Sequence, residues 1–194
     1  MKRIIVILIV SVLAVTLMPA QKKLVADAAA TAIVWHGHKI VGASHTGNID
    51  LKSGWITLKG KTVTGGEFLV DMNTIKDTDL KDEKMSARLV GHLKSEDFFG
   101  VEKYPFSKLV ITGSSKTSDG KILFRGNLTI KEATHPVEFT ATESKDGENL
   151  IFTADINFDR SLYDVRFGSG KFFSNLGDNA IVDEITLNVK LVVK

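Results

Sequence analysis

The sequence predicts an all-β protein, a closed antiparallel barrel of about eight strands with one helical insertion near the middle of the chain. Beyond about residue 30, apolar and polar residues alternate with a period of two, which is typical of strands with one buried face. Turn signals separate the alternating stretches at regular intervals, as in sheets that close on themselves. A helical spacing of apolar residues near the middle predicts the insertion.

The N-terminal segment has the layout of a secretory signal peptide. Lys2 and Arg3 precede an apolar run over residues 4–18, and small residues follow it. We predict a signal peptide over residues 1–28, with cleavage between residues 20 and 30, and a single domain over residues 29–194. An uncleaved signal anchor is the alternative, although the apolar run is near the short limit for a membrane span. The expected location is the periplasm or outside the cell.

The composition excludes several classes of function. The chain contains no cysteine, which rules out disulfides, thiolate metal sites, thiol catalysis and lipid attachment through an N-terminal cysteine. The formal charge of +2 disappears with the signal peptide, because removal of residues 1–28 takes four basic residues and one acidic residue and leaves 21 basic against 22 acidic ones. A neutral chain without a basic stripe has little to offer a phosphate backbone, so we expect no nucleic-acid partner.

Four segments carry the strongest alternation, over residues 68–72, 122–131, 151–158 and 185–192. Their apolar residues share one face of each strand and are predicted to point into the barrel. Between the strands, the predicted turns are Gly47-Asn48, Ser53-Gly54, Gly65-Gly66, Asp119-Gly120 and Asp146-Gly147, with Gly177-Asp178-Asn179 before the last strand. The orientation of Trp35 stays open, because residues 31–40 carry apolar side chains on both faces.

The helical insertion is predicted from about Leu80 to Leu93. Residues 77–79 offer N-caps, and Met85, Leu89 and Leu93 recur at the spacing of one helix face. In an otherwise all-β chain this face must lie on the sheet, most simply across an open end of the barrel.

Two aromatic residues, Phe98 and Phe99, follow the helix directly, before Pro105 returns the chain to extended backbone. Leaving them in water forfeits about 1.5–3 kcal/mol each. We therefore predict that they plug the mouth of the barrel.

Four segments resemble the YceI family of exported bacterial proteins: "FLVDMNTIKDTDL", "HLKSEDFFGVEKYPF", "GNLTIKEATHPVEF" and "INFDRSLYDVRFGS". The resemblance covers nearly the whole predicted domain, in order. It implies a lipocalin-like barrel of eight antiparallel strands, with a long apolar cavity that holds a polyisoprenoid or another lipid. The residues Glu132-Ala133 stand where the family usually has a glycine, which puts the ligand headgroup in doubt rather than the fold.

The interior of such a barrel is either filled by side chains or holds one small ligand. Gly126 favours a cavity, because it lies in mid-strand on the apolar face, where a filled core would place a side chain. An apolar cavity selects an aliphatic ligand, and ten methylenes at about 0.8 kcal/mol each give roughly 8 kcal/mol, enough for micromolar affinity. The predicted lumen and lid residues are Trp35, Phe68, Val70, Met72, Leu89, Leu93, Phe98, Phe99, Phe124, Gly126, Leu128, Phe139, Ile156, Phe158, Leu187 and Val189.

Polar candidates are few. His45 and Arg160 are predicted at a polar end of the pocket, although an Arg160 paired with Asp159 or Asp164 at the barrel rim is an equal alternative. His36 and His38 share one face of a strand and together offer two metal ligands, but a solvated face is the favoured interpretation and we predict no metal site.

The sequence has no nucleophile elbow, zinc-protease motif or phosphate-binding glycine loop, so we expect no enzyme and no cofactor. The predicted function is lipid binding in the cell envelope, for transport, storage or sequestration, with a long-chain lipid or isoprenoid quinone as partner. The alternative is a stress-related structural or interaction module with a filled core. Transient membrane contact and a dimer are left open.

Overall fold

The alternating segments form one antiparallel sheet in the computed structural model, which describes residues 20–194. The strands are β1 (Gln21–Val25), β2 (Ala32–His38), β3 (Ser44–Lys59), β4 (Thr62–Asp77), β5 (Phe106–Lys116), β6 (Ile122–Ile130), β7 (Ala133–Asp146), β8 (Asn149–Asp159) and β9 (Glu184–Val193), and helix α1 (Glu83–Lys94) lies between β4 and β5. The sheet order is β1-β3-β2-β9-β8-β7-β6-β5-β4, and β3 also pairs with β4, so β2 to β9 form a closed ring of eight strands. The predicted barrel with one helical insertion is confirmed.

Strand β1 adds a ninth strand, which continues the line of β2 along β3 toward the turn end. It pairs with the second half of β3, from Gln21 opposite Lys59 to Val25 opposite Trp55. The backbones of Val25 and Lys194 exchange two hydrogen bonds, at 2.9 and 3.0 Å, so β1 also joins the end of β9. Residues 1–19 of the predicted signal peptide lie outside the described residues, whereas residues 21–25 of that peptide form this strand.

The two ends of the barrel are built differently. At one end, which we call the turn end, short turns join β3 to β4, β5 to β6 and β7 to β8. At the other, the mouth end, lie residues 39–43, α1 with the residues that follow it, and residues 160–183, which begin with a 3-10 turn at Arg160–Tyr163. Side chains fill the barrel near the turn end, where the buried residues are Leu24, Val63, Ile122, Leu150 and Val193.

Three of the predicted turns are wrong. Gly47-Asn48 and Ser53-Gly54 lie inside β3 and Gly65-Gly66 inside β4, while the actual turn contains Gly60 with φ of +62°. A Cβ on Gly47 would meet the Trp35 ring at 2.6 Å, and one on Gly54 would meet the Phe68 ring at 2.4 Å. These glycines therefore admit a ring from the neighbouring strand rather than reverse the chain. The other predicted turns are confirmed, including Gly177–Asn179 as a 3-10 turn.

Helix α1 begins three residues later than predicted, at Glu83. Its N-cap is Asp82, whose carboxylate accepts from the amides of Lys84 and Met85, because it lies directly before the first turn. The predicted caps at residues 77–79 are wrong. Asp79, for example, accepts from the Thr46 amide at 2.8 Å and so ties the chain to β3. Across residues 20–194, the structure contains no helix with the length and apolar character that a membrane crossing needs.

Candidate functional site

A cavity of about 410 Å³ occupies the barrel between the filled turn end and α1. This volume lies in the range of roughly 300–1,000 Å³ that small-molecule sites usually have. Its wall is formed mainly by aliphatic and aromatic side chains of β2 to β9. The predicted residues that line it are Trp35, Phe68, Val70, Met72, Leu89, Leu93, Phe98, Phe99, Phe124, Leu128, Phe139, Ile156, Phe158, Leu187 and Val189, together with His45 and Arg160.

Gly126 is not part of the lining, and the interpretation given to it was wrong. It is buried in β6, but a Cβ there would lie 2.5 Å from the Val110 carbonyl oxygen and 3.3 Å from Leu109. Strand β5 passes this position too closely for a side chain, next to a register shift between Ile111 and Gly113. The absence of a side chain at Gly126 therefore allows β5 to pack closely against β6, and it adds no space to the lumen.

Trp35 points into the barrel, which settles the orientation left open by the sequence. Its ring lies over Gly47, and its indole N–H donates to the Lys76 carbonyl at 3.1 Å. His36 lies on the opposite face of β2, where its Nε2 is hydrogen-bonded to Asn188. The prediction that His36 occupies the outer face is confirmed.

About half of the apolar wall lies outside the lining residues named from the sequence. The additional lining residues include Ile33, Ile49, Leu51, Ile56, Ile75, Ile111, Ile130, Val137, Ala141, Phe152, Ala154, Ile185 and Leu191. In β3 the alternation continues through Ile49 and Leu51, but register shifts after Asn48 and Leu51 break the period and the adjacent glycines resemble turns. The regular alternation in β8 places Phe152, Ala154 and Ile156 on one inward face, although only Ile156 is among the lining residues named from the sequence.

Aromatic side chains close the mouth. Phe98 is buried, and its ring centroid lies 4.9 Å from His92 and 5.4 Å from Phe167. Phe167 also contacts His92, with ring centroids 4.5 Å apart. The predicted position of Phe98 and Phe99 at the mouth is thus seen in the structure. Phe167, which comes from residues 160–183, forms the other half of the closure and was not anticipated.

Arg160 holds residues 160–183 in place from within. Its side chain is 1% exposed, and Nη2 lies 3.2 Å from Asp183 Oδ1 as an ion pair. The guanidinium donates to four backbone carbonyls, those of Val165, Phe167, Ile181 and Val182. These partners engage the guanidinium within the protein, so Arg160 acts as an internal clamp whose ion-pair partner is Asp183. The suggested partners Asp159 and Asp164 bind Lys171 and Arg166 instead.

A hydroxyl, an amine and a carboxylate meet beside this clamp, but their charges do not favour catalysis. Lys171 Nζ lies 3.0 Å from Ser161 Oγ and also binds Asp159. The hydrogen bond to Asp159 raises the pKa of Lys171. The ammonium therefore stays protonated at neutral pH and does not act as a general base for Ser161.

His45, Asp77 and Asp79 form the group among residues 20–194 that could hold a cation, with one ligand atom of each within 4.8 Å of the others. His45 Nδ1 already lies 3.1 Å from Asp79 Oδ2, while Asp77 Oδ1 is buried without a hydrogen-bond partner. Burial raises the pKa of Asp79, but the hydrogen bonds it accepts from the Thr46 amide and from His45 bring it below its usual value. His45 thus lies at the mouth as predicted, paired with a carboxylate, and the absence of a metal site stays a prediction.

Comparison with solved structures shows the same fold. BcnA of Burkholderia cenocepacia matches with a TM-score of 0.65 and 19% identity, over 87% of this chain and 99% of that one. A polyisoprenoid binding domain from Saccharophagus degradans, described as implicated in plant cell wall breakdown, matches with a TM-score of 0.65 and 13% identity, over 88% and 97%. The YCEI protein of Campylobacter jejuni matches with a TM-score of 0.52 and 16% identity, over 80% and 82%.

Sequence comparison gives the family. UPF0312 proteins of two Pseudomonas putida strains are 40% identical over 58 residues, which span 30% of this chain and 30% of each relative. The family model for the YceI-like domain matches residues 24–193. Because this match extends over nearly all of the described barrel, the chain belongs to the YceI-like domain family, which the four resembling segments had indicated.

Proposed function

We propose that the protein binds a polyisoprenoid or another long aliphatic chain in the barrel cavity. One observation carries the proposal: the barrel encloses about 410 Å³ behind an aromatic closure, and the wall of that space is almost entirely hydrocarbon. The polyisoprenoid binding domain of Saccharophagus degradans, which has the same fold, supports this choice of ligand.

The lining explains the type of ligand. Burial of a hydrocarbon chain contributes about 0.8 kcal/mol per methylene, whereas a polar group placed among these side chains would lose its water without finding a partner. Polar groups gather at the mouth, where His45 and Asp79 form their pair. The chain should therefore lie inside with its headgroup at the mouth, and the length of the cavity should set the preferred chain length.

Mass spectrometry of organic extracts from the purified protein tests the proposal directly. We expect a long-chain lipid or isoprenoid quinone, and an emptied barrel should take up such a ligand again. A barrel that comes out empty from several hosts and takes up no quinone or fatty amide would contradict carriage of a lipid.

A pair of variants separates binding inside the barrel from binding to its surface. Ala154 is buried and lines the cavity, whereas its neighbour Thr153 faces out from β8. Ala154→Phe would fill part of the lumen and should weaken quinone binding at least tenfold, while Thr153→Phe adds the same ring outside and should bind like the wild type. Equal binding by both variants would place the ligand elsewhere.

The proposal also covers the role and the location of the protein. A chain exported through its predicted signal peptide would act as a carrier, store or sink for lipids in the envelope, without catalysis or a cofactor. The alternative of an interaction module with a filled interior is supported only by the filled turn end, and it predicts that the cavity stays unused.

A further inference from the structure

The two ends of the barrel differ in the chemistry of their loops. At the turn end, residues 60–61, 117–121 and 147–148 contain only Gly, Lys, Thr, Ser, Asp and Glu. The mouth end carries large apolar side chains that are 42–65% exposed. We call this set the apolar rim, and it comprises Ile40, Val41, Met85, Phe167, Phe172 and Phe173.

The rim is continuous with the cavity and is held by the fold. Phe167 both lines the cavity and is 42% exposed. The Ile40 amide donates to the Ala180 carbonyl at 2.8 Å, which joins residues 39–43 to residues 160–183, two of the segments that carry the rim. The Arg166 guanidinium lies 4.9 Å above the centroid of the Phe172 ring. A chain that enters the cavity must therefore pass among the exposed rim residues.

The segment that carries the phenylalanine residues of the rim does not by itself select an anionic partner. Residues 160–183 contain three basic and three acidic residues, so the segment is neutral. Several of these charges are paired within the protein, such as Arg166 with Asp164. The rim thus offers apolar area, much of it as phenylalanine rings beside arginine and lysine, which suits the interfacial zone of a bilayer.

We propose that the apolar rim docks on the surface of a lipid bilayer, so that the cavity exchanges its aliphatic chain directly with the membrane. The inference rests on the proposed lipid-binding function. Passing a long chain through water would expose every methylene at about 0.8 kcal/mol each, and a rim seated in the interface avoids that exposure. A second copy or another protein seated on the rim would instead cover the opening.

Flotation with phosphatidylcholine vesicles tests the docking. The double variants Phe172→Ser with Phe173→Ser, and Ile40→Ser with Val41→Ser, remove exposed apolar side chains from two different loops. The matched control is Val25→Ser, which removes a side chain that is 57% exposed on β1. We expect each double variant to lower the vesicle partition coefficient at least tenfold and the control to leave it unchanged.

Three results would overturn the proposal. The wild type could remain unbound to the vesicles, Val25→Ser could lose as much partition as the rim variants, or light scattering could show that the rim variants convert a dimer into monomers. Quinone binding without vesicles separates this test from the carrier function. Rim variants that still bind quinone but no longer float support docking, whereas vesicle binding by a barrel that takes no chain would refute only the carrier function.

Discussion

Single glycines decide where two strands of this barrel can approach each other. At Gly126 the backbone of β5 lies so close that a Cβ would be 2.5 Å from the Val110 carbonyl oxygen. At Gly113, on the neighbouring strand, an added Cβ would have no heavy atom within 4 Å apart from those of its chain neighbours. The sequence shows the same residue type at both positions, and only the contacts between β5 and β6 distinguish them.

This contrast predicts different responses to the same substitution. Gly126→Ala should lower the free energy of unfolding by about 1–3 kcal/mol, because the strands must separate to admit the methyl group. Gly113→Ala should change it by less than about 0.5 kcal/mol. Urea unfolding of both variants measures the difference, and equal effects would contradict the assignment of Gly126 to strand packing.

Arg160 should be intolerant of replacement by another cation. Arg160→Lys is expected to destabilise the protein by several kcal/mol, up to the 3–5 kcal/mol typical of a broken buried pair, because one ammonium cannot span the four carbonyls and Asp183. Arg125→Lys, at an exposed arginine paired with Glu138, should cost less than about 1 kcal/mol. Denaturant unfolding compares the two, and a stable Arg160→Lys would mean that the clamp is dispensable.

The ion pair between Asp159 and Lys171, beside the Arg160 clamp, should make the stability of the fold depend on acid pH. Burial raises the pKa of Asp159, but hydrogen bonds from Lys171 and Ser161 outweigh burial and lower it below its usual value. The carboxylate therefore stabilises the folded state above the unfolded pKa of about 3.9, and this contribution is lost as pH falls through the lower folded pKa. Thermal unfolding followed from about pH 6 downward should show a smaller acid loss in Asp159→Asn than in the wild type. An unchanged profile would exclude this origin.

Among the elements, β1 shows most clearly how a short segment completes a closed sheet. Leu24 is buried at the filled end, and the backbone of Val25 pairs with the last residue of the chain. The sequence predicts a domain that begins at residue 29, because small residues over 26–30 satisfy the cleavage pattern. Pairing with β3 and β9, which are distant in sequence, gives β1 its place.

Truncation tests the contribution of β1. A chain that begins at Gln21 should unfold like the longer protein, whereas one that begins at Ala29 should lose at least about 3 kcal/mol, because it lacks Leu24 and leaves strand edges unpaired. Leu24→Ala should lose about 2–5 kcal/mol, and Val25→Ala, at an exposed position, should lose little. An exported chain that starts at residue 29 and keeps full stability would contradict this expectation.

Helix α1 and residues 160–183 show what periodicity can and cannot predict. Leu89 and Leu93 were identified from their spacing, and both line the cavity. The cap at Asp82 was missed because residues 77–79 offer the same side-chain chemistry, and only the path of the chain decides which carboxylate meets free amides. Phe167 could not be predicted, since its place over the mouth depends on four carbonyl contacts to Arg160.

For the molecule as a whole, alternation predicts which residues face inward but not how much space they leave. The side chains of Leu24, Val63 and Val193 fill one end, while the small side chains of Ala141 and Ala154 line the cavity beyond it. Strand curvature and bulges determine this division, and no local pattern encodes it. Both interpretations of the interior, filled and hollow, therefore describe part of the barrel.

Occupation of the hollow should stabilise the whole fold. A ligand at about a hundredfold above its Kd should add about 2.7 kcal/mol to the free energy of unfolding. Calorimetry with and without an isoprenoid quinone should show a raised Tm for the wild type and for Thr153→Phe, but a much smaller rise for Ala154→Phe. A similar rise in both variants would indicate association outside the lumen.

The position of β1 also determines which end of the barrel lies nearest the N-terminal segment. Gln21 lies opposite Lys59, so the described chain enters the barrel at the turn end, and the opening lies at the other end of the strands. In a protein that is still anchored by its N-terminal apolar stretch, the opening of the cavity would be directed away from the bilayer that holds it. Proteolytic release would free the barrel to turn over, and processing would then determine whether its opening can contact that bilayer.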